Sequence, residues 1–116
     1  MGSTKGKASK TYPVRITGNA LQNINEITGY IAFIKHQPQN AIRVGDKIFE
    51  TIERIGQNPF LFRECEEIRT KTKIYRKAVC MSWNIIFKIK ASEVVILGIF
   101  HGSRRPSGIR KFKGVK

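Results

Sequence analysis

The apolar residues of the first half of the chain recur every three or four positions, which is the spacing of an apolar stripe along a helix. Two such stripes follow each other: Ala20, Ile24, Ile27, Ile31 and Ile34, and then Ile42, Gly45, Ile48, Ile52 and Ile55. Pro38 separates them, because the residue before a proline avoids the helical region while a proline suits the first turn of a new helix. A link this short predicts an antiparallel helix hairpin.

Apolar and polar residues alternate on both sides of the hairpin, which is the pattern of β-strands. It begins at residues 12–17 and returns in three later segments, at residues 74–79, 83–90 and 94–100. The last segment is apolar on both faces, so we expect it inside the sheet. The order β-α-α-β-β-β predicts an α+β fold, in which a small antiparallel β-sheet carries an N-terminal helix hairpin packed on one face.

Both ends of the chain lack an apolar period. Residues 1–10 contain mainly Gly, Ser and Lys and are interpreted as a flexible basic arm, residues 11–105 as the folded domain, and residues 106–116 as a basic C-terminal tail. The N-terminus lacks the apolar centre of a signal peptide, and no apolar run approaches the roughly 18 residues of a membrane span. We therefore expect a cytoplasmic protein with no membrane partner.

The charge is large and unevenly distributed. The chain has 22 Lys and Arg against 8 Asp and Glu, a net charge of +14. Residues 16–68 hold five basic and seven acidic residues, whereas residues 69–116 hold thirteen basic residues and one acid, Glu93. Positive charge spread evenly along the chain would serve solubility equally well. Its accumulation in the second half therefore predicts a surface for a polyanion, either nucleic acid or an acidic protein.

The ordered set of segments resembles the RelE/ParE toxin superfamily of bacterial toxin–antitoxin modules over residues 11–105. The final segment, an apolar strand that runs into His-x-x-Arg, is the most characteristic of them. The segments that carry the resemblance are YPVRIT, ALQNINEITGYIA, IRVGDKIFETIERI followed by NP, RECEEIRTKTKIYRKAV, WNIIFKIK and VVILGIFHGSRRP.

The resemblance implies the toxin of a type II toxin–antitoxin module, a class of gene often labelled plasmid stabilisation. ParE-like members inhibit DNA gyrase and cut nothing themselves, whereas RelE-like members cut mRNA in the ribosomal A site without a metal. The length of the helix hairpin and the His-x-x-Arg ending favour the ParE-like branch. The resemblance also implies an acidic cognate antitoxin as partner and no cofactor.

If the chain is RelE-like, the candidate catalytic residues are His101, Arg104 and Arg76. RNA cleavage needs proton transfer and cations that stabilise the phosphorane, and imidazole and guanidinium groups suit these roles. His101 is equally interpreted as a strand-end imidazole hydrogen-bonded to the backbone. Nuclease members often carry a catalytic Tyr or His close to the C-terminus, and no residue after His101 titrates near neutral pH, which favours the gyrase inhibitor.

A wider set of cations is predicted to bind nucleic acid or a protein partner: Arg69, Lys71, Lys73, Arg76, Arg104 and Arg105. Tyr75 and Trp83 are interpreted as core aromatics, with base stacking as the alternative. Cys65 and Cys80 lack C-x-x-C spacing and clustered histidines, so we expect reduced thiols and no metal site. A general nucleic-acid-binding module remains a third functional hypothesis, supported by charge alone.

Overall fold

The computed structural model describes residues 11–103 and 108–116. None of the helices in these two ranges is long and apolar enough to cross a membrane. The described residues form two α-helices, α1 (Gly18–Gly29) and α2 (Pro38–Gln57), and five strands, β1 (Val14–Ile16), β2 (Arg63–Glu64), β3 (Tyr75–Cys80), β4 (Trp83–Ile89) and β5 (Val94–His101). Shorter helical segments are the π-helical turn Tyr30–Ile34 and the 3₁₀ helices Pro59–Leu61, Glu66–Ile68 and Ile109–Gly114.

The strands form one sheet in the order β1-β5-β4-β3-β2. The pairs β2–β3, β3–β4 and β4–β5 are antiparallel, and β1 lies parallel to β5. The helix hairpin connects β1 at one edge of the sheet to β2 at the other. The predicted helix-backed sheet is therefore confirmed, and β5 lies inside it as its two apolar faces indicate. The two-residue strand β2 lies outside the predicted strand segments, since it is too short to show an alternating pattern.

Local capping explains where α1 begins and ends. The Thr17 hydroxyl accepts a hydrogen bond from the backbone N–H of Ala20 at 3.1 Å, which satisfies a free donor at the helix start. At the other end the N–H of Lys35 donates to the carbonyl of Tyr30, a π-helical spacing, and His36 follows with φ of 55°. Histidine is among the residues enriched in this left-handed region. His36 is thus the residue at which the chain leaves the first helix and turns toward α2.

The core between the helices and the sheet contains most of the predicted stripes. Ile24, Ile48 and Ile55 are at most 4% exposed, but Ile34 and Ile42 are 63% and 62% exposed, so their predicted burial is wrong. The π-helical turn changes the angular spacing of the last residues of the first stripe. In the first half of α2 the buried residues are Ala41 and Val44, each one position before the predicted Ile42 and Gly45, whereas Ile48, Ile52 and Ile55 are buried as predicted.

The second face of the sheet is covered by the C-terminal segment, which the sequence pattern identifies only as a basic tail. Ile109 is buried and Phe112 and Val115 pack beside it on a separate apolar cluster: Cys65, Ile68, Tyr75, Ile86, Val95 and Leu97. The Lys88 ammonium donates to the carbonyl of Val115 at 3.2 Å, and Lys90 and Arg15 donate to that of Lys116 at 2.7 and 2.8 Å. Residues 108–116 are therefore part of the folded domain.

Side chains from α1 support the last half of β5, where β1 no longer pairs with it. The Asn19 amide donates to the carbonyl of Leu97 at 2.9 Å, and the N–H of Ile99 donates to Asn23 Oδ1 at 2.9 Å. Gly98 lies between them, and a Cβ there would approach within 2.6 Å of the Phe112 ring. These contacts hold the strand that ends at His101, the first of the predicted site residues.

Candidate functional site

His101 ends β5 and lies at the surface. It pairs with Trp83 across the sheet, and the two rings meet edge to face with centroids 5.9 Å apart. The backbone N–H of Ser103 donates to His101 Nδ1 at 3.2 Å, and the Ser103 hydroxyl lies 2.7 Å from the same nitrogen. Because Nδ1 accepts a hydrogen bond, the neutral ring carries its proton on Nε2. His101 thus makes the predicted backbone hydrogen bond, yet stays accessible to a partner.

Arg76 does not lie with His101. It pairs with Phe87, which in turn pairs with Ile96, five residues before His101 on β5 and roughly 15 Å along the strand. Its Nε donates to the carbonyl of Lys73 at 2.7 Å, and its Nη1 donates to the carbonyls of Phe62 at 2.8 Å and Phe60 at 3.3 Å. These bonds join the start of β3 to the turn after α2.

We expect Arg76→Ala to lower the free energy of unfolding by about 1–3 kcal/mol, because it leaves carbonyls of a half-buried turn without their charged donor. Arg63→Ala is the matched control, since Arg63 is exposed and makes no side-chain hydrogen bond among the described residues. Urea unfolding of both variants measures the difference. An equal effect for the two would show that Arg76 does not stabilise this turn.

Arg104 and Arg105 lie outside the described residues. Their predicted proximity to His101 therefore remains a prediction from the sequence. Within the described part of the chain, the catalytic set is reduced to His101 and Arg76, which lie on different strands and apart from each other.

Three of the predicted binding residues lie together on one segment. Arg69, Lys71 and Lys73 are exposed on the loop that precedes β3, where Lys73 adopts φ of 55° and its N–H donates to the carbonyl of Thr70 at 3.2 Å. This loop is at the end of β3 that lies away from His101. It holds three cations at the surface, close to one another along the chain.

The C-terminal 3₁₀ helix adds three more exposed cations, Arg110, Lys111 and Lys113. This helix packs on the 3₁₀ helix Glu66–Ile68, immediately before the loop that carries Arg69. We call these six residues the basic surface: Arg69, Lys71, Lys73, Arg110, Lys111 and Lys113. The sequence pattern missed the last three as binding residues, although they belong to the cationic half of the chain.

Tyr75 and Trp83 differ in exposure. Tyr75 is 3% exposed and its ring lies under the Lys88 ammonium, 5.6 Å from the centroid, so its interpretation as a core residue is confirmed. Trp83 is half-buried and packs against His101. The structure leaves no access for a base to stack on Tyr75.

A buried polar cluster lies beneath the loop of the basic surface. The Lys77 ammonium, whose side chain is 8% exposed, lies 3.6 Å from Glu67 Oε1, and the buried Cys65 thiol donates to the same oxygen at 3.4 Å. Burial raises the pKa of Cys65, and the hydrogen bond to Glu67 raises it further. Burial alone also raises the pKa of Glu67, but hydrogen bonds from its own backbone and Cys65, with the charge of Lys77, hold that pKa below its usual range.

This cluster predicts a pH-dependent stability. A carboxyl with a lowered folded-state pKa stabilises the fold above its unfolded pKa of about 4.3, and the contribution is lost as the pH falls through the folded value. The free energy of unfolding of wild type should therefore exceed that of Glu67→Gln most at pH 7, and the difference should shrink as the pH falls below about 4.3. Urea unfolding across this range tests it. Glu66→Gln, an exposed residue with no ion pair among those described, should show no such convergence.

A groove of opposite charge lies on the other side of the molecule. It measures about 800 Å³ and runs between α2 and the start of β1, with Phe49 and Ile52 among its apolar lining. Its carboxylates are Asp46, Glu50 and Glu53. Among the described residues, no group of three or more His, Cys, Asp or Glu side chains is arranged to hold a metal ion.

Comparison with known proteins assigns the fold. A sequence model of the family described as the ParE toxin of the type II toxin–antitoxin system, parDE, matches residues 14–106. The chain belongs to the ParE toxin family. Its fold is similar to a chain of the chromosomal ParDE toxin–antitoxin system from P. aeruginosa, with a TM-score of 0.62, 18% identity, and coverage of 78% of this chain and 96% of that one.

A second structure with this fold is the toxin–antitoxin complex RelBE2 from Mycobacterium tuberculosis. The TM-score is 0.54 and the identity 17%, with 80% of this chain and 95% of that chain covered. No curated protein sequence matches the chain. The family model therefore identifies the chain as a type II toxin of the ParE family, as its segment order predicts, and the two solved structures share its fold.

Proposed function

We propose that this ParE-family chain inhibits DNA gyrase by binding it and does not itself cut nucleic acid. The observation that carries the proposal is the separation of His101 and Arg76, the two predicted catalytic residues that the structure describes. Metal-free RNA cleavage requires a proton-transfer group and cations around one phosphate. Arg76 uses its donors on three backbone carbonyls instead, which leaves it a structural residue.

The covered second face of the sheet supports the same proposal. Ile109, Phe112 and Val115 occupy the space over Val95 and Leu97, so this face is an apolar core. A nuclease acting there would need an open, cationic surface that admits an RNA strand. Both gyrase and an antitoxin can instead be bound by outer surfaces of a rigid domain, without a catalytic cleft.

The second candidate function is a RelE-like, ribosome-dependent mRNA endonuclease. It is favoured by the position of His101, which is exposed at a strand end and is followed by Arg104 and Arg105 in the sequence. An exposed imidazole suits proton transfer, and two arginines suit phosphate binding. This alternative depends on residues 104 and 105 approaching the ring.

One pair of assays separates the two functions. We expect the purified chain to inhibit gyrase in a supercoiling assay, and His101→Ala to inhibit equally well. The same protein added to translating ribosomes should leave mRNA intact in a primer-extension assay. If wild type cuts mRNA and His101→Ala loses about 100-fold or more of that activity, the nuclease function is correct.

The proposal includes an acidic antitoxin that binds the basic surface and neutralises the toxin. Opposite charges on the two proteins raise the rate of association and select the partner. Both gyrase and ribosomes are cytoplasmic, and we infer that the chain acts there.

A further inference from the structure

The end of the helix hairpin exposes a group of large apolar side chains. Of the ten large apolar residues that are exposed in the described part of the chain, four lie within residues 30–42: Tyr30, Phe33, Ile34 and Ile42. We call these four residues the hairpin tip. Tyr30, Phe33 and Ile34 are three or four positions apart on one turn, so their side chains are neighbours on the helix surface. Single exposed apolar residues are normal in proteins, whereas a group of this kind indicates an interaction surface.

The backbone beneath the hairpin tip is held in place by contacts within the hairpin. The N–H of Lys35 donates to the carbonyl of Tyr30 at 3.0 Å, and Ile31 on the same turn is buried in the core. The two helices approach closely at Gly45, where a Cβ would lie 3.5 Å from Thr28 Cγ2. A partner that binds the tip therefore does not have to order the backbone that carries it, which favours binding.

The hairpin tip and the basic surface lie at opposite ends of the sheet. Helix α1 runs alongside β5 in the same direction, because Asn19 bonds to Leu97 and Asn23 bonds to Ile99. From Asn23 the helix continues for roughly 10 Å to the tip, whereas β5 ends about 7 Å after Ile99. The tip therefore lies at the end of the sheet where β5 ends, and the loop of the basic surface lies at the other end of β3. The two surfaces can bind different partners.

Charge indicates which kind of partner covers the hairpin tip. Residues 27–45 contain no acidic residue and include Lys35, His36 and Arg43. A symmetric contact between two copies of the chain would bring these like charges together with no acid from the same segment to pair them, which disfavours a second copy. An acidic antitoxin is attracted instead by the six cations of the basic surface. The tip fits a different protein, whose surface has an apolar pocket with an acidic rim.

We propose that the hairpin tip is the surface that binds DNA gyrase, with Phe33 and Ile34 in an apolar pocket of that protein and Lys35 and Arg43 facing acidic residues at the rim. The inference rests on the proposed function, since it takes gyrase as the target. It goes beyond that function by naming the residues that make the contact and the chemistry of the pocket. A few side chains that fill a pocket dominate the energy of most protein interfaces, and Phe33, at 77% exposed, is the most exposed of the four.

Phe33→Gln is the direct test. It replaces an exposed apolar ring with a polar side chain that is common in helices, so the fold should be retained, which circular dichroism checks. Leu61→Gln is the matched control, because Leu61 is also 77% exposed but lies on the 3₁₀ helix after α2. In a supercoiling assay with the gyrase holoenzyme, Phe33→Gln should raise the concentration for half-inhibition by roughly tenfold or more, and Leu61→Gln by less than about threefold.

The same assay distinguishes failure of the inference from failure of the proposed function. If wild type inhibits gyrase and Phe33→Gln inhibits it equally well, the inference is overturned and the proposed function stands. Equal losses for Phe33→Gln and Leu61→Gln also overturn it, because the effect then does not depend on the tip. Absence of inhibition by wild type contradicts both.

Two further measurements test the other occupants of the hairpin tip. The free chain should sediment as a monomer, and a dimer that Phe33→Gln dissociates would place a second copy on the tip and contradict the inference. The protein encoded by the reading frame beside the gene of this chain serves as the antitoxin probe. It should bind wild type and Phe33→Gln with affinities that agree within about twofold. A loss of roughly tenfold or more in this affinity, with gyrase inhibition unchanged, would assign the tip to the antitoxin instead.

Discussion

Replacing Phe87 with alanine is expected to lower the free energy of unfolding by about 3–5 kcal/mol, the largest stability effect of any single change considered for this fold. Phe87 is 0% exposed, lies on β4 near the middle of the sheet, and packs under the helix hairpin. Its ring meets Phe62 edge to face with centroids 5.8 Å apart. The substitution removes this contact and leaves a cavity that neighbouring strands cannot close.

Urea unfolding followed by circular dichroism measures the effect. Domains of this size have a total stability of about 5–15 kcal/mol, so Phe87→Ala should remove a large fraction of that stability. Phe33→Ala is the matched control, because Phe33 is 77% exposed on the π-helical turn after α1, and it should change stability by at most about 0.5 kcal/mol. A loss below about 1 kcal/mol for Phe87→Ala would mean that the core repacks around the cavity.

The elements that repeat a period over many residues could be predicted from the sequence. Helix α2 begins at Pro38 and strand β5 lies inside the sheet, as their patterns indicate, because each hydrophobic period reflects contacts with one continuous core. Ile34 fails this rule because the π-helical turn Tyr30–Ile34 changes the angular spacing at the end of the first stripe, and no residue spacing in the sequence encodes that turn. Ile42 is exposed because the first turns of α2 bury Ala41 and Val44 instead.

The C-terminal segment contains an apolar pattern, but the pattern has only three residues. Ile109, Phe112 and Val115 recur at intervals of three, the period of a 3₁₀ helix, and these residues face the sheet. Six surrounding basic and glycine residues obscure the pattern, so composition alone favours a solvated tail. A period-three search would have predicted that these residues belong to the folded domain.

The sequence predicted which types of residue the candidate site contains, but it predicted less well which of them lie close together. His101 lies at an exposed strand end as the sequence indicates, whereas Arg76 is joined to the turn carbonyls of Phe60 and Phe62. That outcome depends on the path of a non-repetitive turn, which no local pattern specifies. The added cations Arg110 and Lys111 come from the same cause, because only the folded tail brings them toward the loop before β3.

Reversing the charge of the loop residues of the basic surface should have the largest effect on partner binding. The variant Arg69→Glu, Lys71→Glu, Lys73→Glu changes the net charge from +14 to +8, since each substitution removes two charges. All three side chains are exposed, so the fold should be retained. With about 1 kcal/mol lost for each reversal, affinity for an acidic antitoxin should fall by roughly 100-fold.

The matched control places the same change in charge elsewhere. Lys35, Arg43 and Lys47 are exposed on the helix hairpin, and their replacement with Glu also gives +8. If the basic surface binds the antitoxin, the loop variant loses about tenfold or more affinity relative to this control, and the difference shrinks in high salt as the charges are screened. Equal losses in the two variants would mean that net charge alone attracts the partner. Titration calorimetry at about 50 and 300 mM salt separates these results.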